Sequence, residues 1–236
     1  MILLYSKGLG INIGRVSMNA ESSNLNKKMQ LQIKKKETFG EGIDTLLALR
    51  KEMLKQIISF KSELNIEDFN VMPFINVKGY HNKNIAYSLY HMFRIEDIVA
   101  KTLIQKSTQT FFSENYIERM NSPIVTTGNE LMKQEIAEFS SKLNLEELYH
   151  YIIDVDLATT KLLKELTYSD LKIKMTEEDK EMIKSLGVVS ENENAVWLID
   201  YWCGKNIKGL IQMPFSRHWI MHIEASQRIV DKIRLR

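Results

Sequence analysis

The stretch Phe215-Ser216-Arg217-His218-Trp219-Ile220-Met221-His222-Ile223-Glu224-Ala225-Ser226-Gln227-Arg228-Ile229-Val230 reads as one helix near the C-terminal end of the chain. Two of the five histidines, His218 and His222, sit in it four residues apart. That spacing sets two side chains on one helix face, one turn above the other. Ala225 and Ile229 continue the same face, which turns the imidazoles toward packing rather than water. Unpaired polar groups in a core are costly, and one shared metal ion would satisfy both rings. The rest of the chain then has to bring a third ligand to this pair.

Composition narrows the class. The chain has 236 residues, 44% of them hydrophobic, enough for one domain with a full core or one domain with insertions. Charged residues make up 26% and the net charge is +2, without the basic excess of a protein built on phosphate contacts. The basic clusters Lys27-Lys28 and Lys34-Lys35-Lys36 have no aromatic platform beside them, so a nucleic-acid partner is not expected. The single cysteine, Cys203, permits no internal disulfide and points to a reducing, cytoplasmic setting. No stretch approaches the ~20 apolar residues of a membrane span. The apolar start Met1 to Tyr5 is broken by Gly8, Gly10, Asn12 and Gly14, unlike a secretory signal. Three prolines and ten glycines, against abundant Leu, Ile, Met, Lys and Glu, predict an all-α protein.

Residues 1–36 read as an irregular N-terminal leader, rich in Gly, Asn, Ser and Lys. Residues 37–236 read as a helical bundle. Apolar positions recur at helical spacing from Gly42 to Leu64, and a second, nearly encircling pattern runs from Lys83 to Gln105 with Asn82 as N-cap. Shorter helices are expected over Glu114 to Met120 and Asn129 to Ser141. A third long helix runs from Leu145 to Leu166, capped by Asn144. An insertion at about 168–210 carries a charged helix, Thr176 to Leu186, closed by Gly187, and a second piece from Asn194 to Cys203. Trp197, Tyr201 and Trp202 in that piece read as a buried insertion helix, with a pocket wall as the alternative. Pro214 precedes Ser216, a good N-cap for the last long helix. Four long helices with extended connections make a four-helix bundle with extra short helices.

Several chemistries are disfavoured. The residue after His218 is Trp219, where a zinc protease helix carries its glutamate base. A di-iron bundle needs two Glu-x-x-His elements, and Glu147-Leu148-Tyr149-His150 stands alone. His150 therefore reads as a polar residue at the start of its helix. No Gly-x-Ser-x-Gly elbow is present, and Gly8 to Gly14 lacks the βαβ context of a dinucleotide fingerprint. His91 remains, on the otherwise apolar face of the second long helix with Ile95 and Ile98. Joined to His218 and His222, it makes a three-nitrogen set that leaves positions for water or substrate. The ligand type suits Zn, Ni, Fe or Cu without choosing among them. Three separately satisfied core histidines are the alternative. Glu96 is a candidate for orienting a histidine, although its five-residue offset puts it on a different face from His91.

The segment Asn84 to Asp97, with its single His91 and trailing Glu96-Asp97, and the pair His218-x-x-x-His222 together resemble the DinB/YfiT-like family of metal-dependent proteins. The order also matches: one histidine in the second long helix, two in the last. The resemblance spans roughly residues 40–233. It implies an up-down-down-up four-helix bundle with a divalent metal, zinc or nickel with iron as a third candidate, held by His91, His218 and His222. It further implies a hydrolase or thiol S-transferase acting on a small-molecule substrate such as a low-molecular-weight thiol. A homodimer is compatible with the bundle, since helical bundles often expose an apolar stripe. A non-catalytic metal- or small-molecule-binding bundle of a stress response is the alternative. The chain departs from the family where Ile223 to Gln227 replace a His-Arg-Gly-Gln-like stretch, and in its longer insertion, which leaves the substrate class open.

Overall fold

The structure, a computed structural model, describes residues 9–78 and 82–235, with side chains from residue 20 onward. The apolar start of the chain and Gly8 lie outside the described residues, as do Gly79, Tyr80 and His81. Among the described residues the chain is all-helical, and the β pairing is limited to one isolated bridge between Lys174 and Asn206. No described helix is long and apolar enough to cross a membrane.

The long helices are α1 (Leu9–Gln32), α2 (Phe39–Glu63), α3 (Ile85–Asp97), α7 (Leu145–Glu165) and α11 (His218–Arg234). Between α3 and α7 lie the short helices α4 (Thr110–Ser113), α5 (Tyr116–Arg119) and α6 (Gln134–Lys142). Between α7 and α11 lie α8 (Glu177–Ser185), α9 (Trp197–Cys203) and α10 (Ile207–Gln212). Helix α3 packs on both α7 and α11, and α2 packs on the same two helices. Asn144 caps α7 through Glu147 N, as the sequence predicts, and Thr176 forms a capping box with Asp179 on α8. Gly187 closes α8 at φ +62°.

Three local expectations are corrected. The segment 1–36 is not irregular throughout: it contains α1, which packs along α2 and buries Met29 and Ile33 completely. Gly42 allows that approach, because a Cβ there would stand 2.6 Å from Ile33 Cγ2. Low local propensity in α1 is overridden by tertiary packing. The cap of α3 is Asn84, not Asn82: its Oδ1 accepts from Tyr87 N at 2.8 Å. Ser216 caps nothing. It lies in a π-helical turn, Met213–Arg217, that leads from α10 directly into α11, and its Oγ donates back to Ile211 O and Gln212 O. Pro214 inside this turn lacks the N–H that a regular α-helical ladder would use.

Every residue of α3 is buried. One apolar cluster joins it to α2, α7 and α11 through residues such as Phe60, Phe93, Tyr151 and Trp219. A second cluster joins its C-terminal part to the insertion, where Ile95, Ile98 and Leu163 meet Ile183, Leu198 and Trp202. The insertion is therefore part of the core and not a surface appendage.

A charged group braces this assembly. Arg50 of α2, fully buried, donates to Glu96 Oε2 at 3.0 Å and Oε1 at 2.7 Å, to Asp156 at 2.6 Å and to Phe215 O at 3.2 Å. Its guanidinium lies 4.3 Å from the Trp219 ring centroid, and Trp219 Nε1 donates to Glu96 at 2.8 Å. Four elements are tied at one point. Removing one partner of a buried pair strands the other charge. Arg50→Leu should therefore cost about 3–5 kcal/mol in urea denaturation, and the double variant Arg50→Leu, Glu96→Leu should recover part of that loss.

Candidate metal centre

His91 sits at the middle of α3, where Tyr87, Tyr90 and Arg94 reach the same loop as His91 does. Tyr90 Oη donates to Ile124 O and Thr126 O, each at 3.1 Å. Arg94 donates to Val125 O at 2.6 Å, and Tyr87 Oη to Gly128 O at 2.9 Å. Between them, His91 Nδ1 lies 2.8 Å from Thr127 O. A carbonyl can only accept, so Nδ1 carries the proton and Nε2 keeps its lone pair. Gly128 makes the loop turn possible at φ +77°, a region that L side chains rarely adopt. Its absent Cβ would stand 3.1 Å from the Tyr87 ring.

His218 and His222 come from the first turns of α11, immediately after the π-helical turn. His218 Nε2 stands 3.2 Å from His91 Nε2, and ring centroids are 4.9 Å apart for His91 and His222 and 4.6 Å for His218 and His222. One nitrogen from each of the three rings lies within 4.8 Å of the others. All three rings are buried, at 5–7% exposure. Burial pushes the His91 pKa down from 6.5 to about 4, helped by the nearby Lys83 charge and opposed by the Thr127 carbonyl. Burial, then mutual repulsion among the rings, drives His218 and His222 well below the ordinary range, with Lys83 adding to the effect on His222.

The donor set fits a divalent cation. Three neutral imidazoles converge, and the lone pair of His91 faces another imidazole nitrogen at 3.2 Å. Two nitrogens held tetrahedrally at ~2.0–2.1 Å from zinc stand roughly 3.3 Å apart. Zinc, nickel or iron would be held by His91, His218 and His222, with Thr127 O orienting the first of them.

A cavity of about 200 Å³ opens beside His91 and His218. Trp197, Tyr201 and Trp202 of α9 form one side, so the pocket-wall reading of this aromatic segment holds together with burial of Trp202, while Trp197 is half-exposed. Asn129, at the end of the Thr127 loop, supplies a polar group, and among the described residues no carboxylate lines the cavity.

The structure thus brings His91, His218 and His222 together. It does not bring Glu96 to them, since the Glu96 carboxylate is held by Arg50 and Trp219. His150 is exposed beside Glu147, in keeping with a plain helix residue. Sequence reading missed Thr127, because a backbone carbonyl contributes no side-chain signal, and Asn129, which read only as the start of a short helix. Gly128 after a Thr-Thr pair was the available hint.

No family model matches the chain, and no curated protein matches it. Among solved structures, the chain is similar to a conserved protein from Enterococcus faecalis, with a TM-score of 0.57 and 11% identity. The match covers 82% of this chain and 97% of that one. At such low identity the likeness is one of fold alone.

Two outcomes are expected of the site. Gly128→Ala should cost about 1–3 kcal/mol by denaturation, from the left-handed backbone, and should also shift the His91 ring resonances in NMR. For the metal-free protein, the unfolded chain takes up protons below pH 6.5 that folded His91 refuses until about pH 4. Stability therefore falls as pH drops through that window, by on the order of 3 kcal/mol for His91 alone. Denaturation at pH 7, 6 and 5 should show this slope, and His91→Ala should make it shallower without abolishing it, since His218 and His222 are depressed in the same direction.

Proposed function

We propose that the chain is a divalent-metal protein of the DinB/YfiT-like type. In this reading α2, α3, α7 and α11 are an up-down-down-up four-helix bundle, and His91, His218 and His222 are the metal ligands. The observation that carries it is the convergence of three buried, neutral imidazoles from two helices beside a cavity that two of them line. The order of ligands along the chain, one on α3 and two on α11, supports it.

The activity proposed is metal-dependent hydrolysis or thiol transfer on a small-molecule substrate. A bound divalent cation supplies Lewis acidity, which lowers the pKa of a water or thiol beside it toward neutrality. The chain's own residues do the rest. Thr127 O holds the proton on His91 Nδ1 and so keeps Nε2 free to ligate. The Arg50–Glu96–Trp219 group fixes the start of α11 and with it His218. The apolar cavity wall limits water next to the ligands.

A non-catalytic metal- or small-molecule-binding role is favoured by one observation: among the described residues the cavity wall holds no carboxylate that could serve as a general base. Turnover on thiol and ester panels separates the two.

Elemental mass spectrometry on untagged protein tests the metal itself. Wild type should carry about one equivalent of metal, and His91→Ala, His218→Ala and His222→Ala should each lose at least roughly 90% of it, since three protein ligands act together. A wild type that carries none, and takes up neither zinc nor nickel at neutral pH, would sink the proposal.

A further inference from the structure

The cavity beside His91 and His218 has a character that the metal reading does not require. Its walls are Ile95 of α3, Leu198 of α9, and Met213 and Pro214 of the π-helical turn, with three aromatic side chains from α9. Among the described residues, no Lys, Arg, Asp or Glu lines it. The aromatic side is held in place rather than loose. Trp197 Nε1 donates to Asn194 O at 2.9 Å, its ring meets Tyr201 edge-on at 5.7 Å, and Lys205 Nζ lies 4.0 Å from the Tyr201 centroid. A wall already ordered in this way loses little freedom when a ligand arrives. Trp202 is fully buried, whereas Trp197 is 49% exposed, so the cavity meets solvent on the Trp197 side.

We propose that the insertion carries a recognition pocket for one uncharged aromatic ring of a small-molecule ligand, placed against His91 and His218. Size sets the ring count: an apolar cavity of roughly 150 Å³ accepts one benzene ring, and this one measures about 200 Å³. A fused two-ring system with substituents would have to project past Trp197. Wall chemistry sets the charge, since an ionised group moved into an apolar wall without a partner is strongly disfavoured. Edge-to-face contacts with Trp197, Tyr201 and Trp202 favour a ring over an aliphatic chain of equal volume. Asn129 sets the orientation. Its Oδ1 already accepts from Thr127 Oγ1 at 2.9 Å, which leaves its amide nitrogen as the donor for a hydroxyl or carbonyl on the ligand.

The inference rests on the metal reading only for what the ring is presented to, and ring binding can be measured without metal. Chelator-treated wild type would be titrated with benzyl alcohol, benzoate, benzylamine and cyclohexanol, following tryptophan fluorescence and the thermal midpoint. Benzyl alcohol should quench fluorescence and raise the midpoint. Benzoate and benzylamine should bind at least about tenfold more weakly, and cyclohexanol should fall between. Leu198→Trp, which fills the cavity, should weaken benzyl alcohol by at least about tenfold. If circular dichroism shows that variant unfolded, Trp197→Ala replaces it and should weaken binding about three- to tenfold. Absence of any response to benzyl alcohol, equal binding of the charged rings, or undiminished binding in a folded cavity variant would each overturn the inference. A wild type that binds the ring but carries no metal overturns the preceding proposal and not this one. A wild type that carries metal but ignores the ring does the reverse.

Discussion

A helix buried on every side must satisfy its polar side chains inside the protein, and α3 is such a helix. Tyr87, Tyr90, His91 and Arg94 reach the carbonyls of residues 124–128, which have no sheet or helix to pair with. Asp97 accepts from Thr110 N and Phe111 N, and Glu96 from Arg50 and Trp219. One constraint therefore shapes the connecting loop, the entry to α4 and the seat of α11. It also chooses the tautomer of His91, because that ring is one rung of the same ladder.

Charge and chemistry are kept apart. Arg50 pairs with both Glu96 and Asp156 at the junction of α2, α3, α7 and α11, and Trp219 covers the guanidinium. Trp219 directly follows His218 in sequence and turns to the charged group while His218 turns to the other histidines. The imidazoles thus remain neutral among apolar neighbours, which is the protonation state that ligation needs. Rigid support of ligands by groups outside the site is the usual requirement for a tuned metal centre.

The two π-helical stretches act on this arrangement differently. The turn at Met213–Arg217 presents Met213 and Pro214 to the cavity and then delivers His218 at once. The stretch Ile98–Ile104 continues α3 into the cluster shared with the insertion. The insertion in turn brings α9 beside the histidines. Its three aromatic residues read in sequence first as buried packing and only second as a pocket wall, and both descriptions apply, because a side chain can pack on one face and line a cavity with the other.

Helical periodicity was sufficient to place α2, α7, α11 and the helix made of α3 and its π-helical continuation within a few residues, because apolar spacing reports which face of a helix is buried whatever it packs against. The i, i+4 spacing of His218 and His222, and the apolar setting of His91, were enough to nominate the site. Helix α1 escaped notice because its order depends on contact with α2 at Gly42, not on its own propensity. Only the tertiary structure decided that the rings of α3 and α11 meet, that Thr127 O and not Glu96 holds His91, and that the insertion closes over the pair. Those facts depend on relations between residues 36 to 127 positions apart, and spacing along a chain carries no information about which distant backbone carbonyl will fill a buried donor's need.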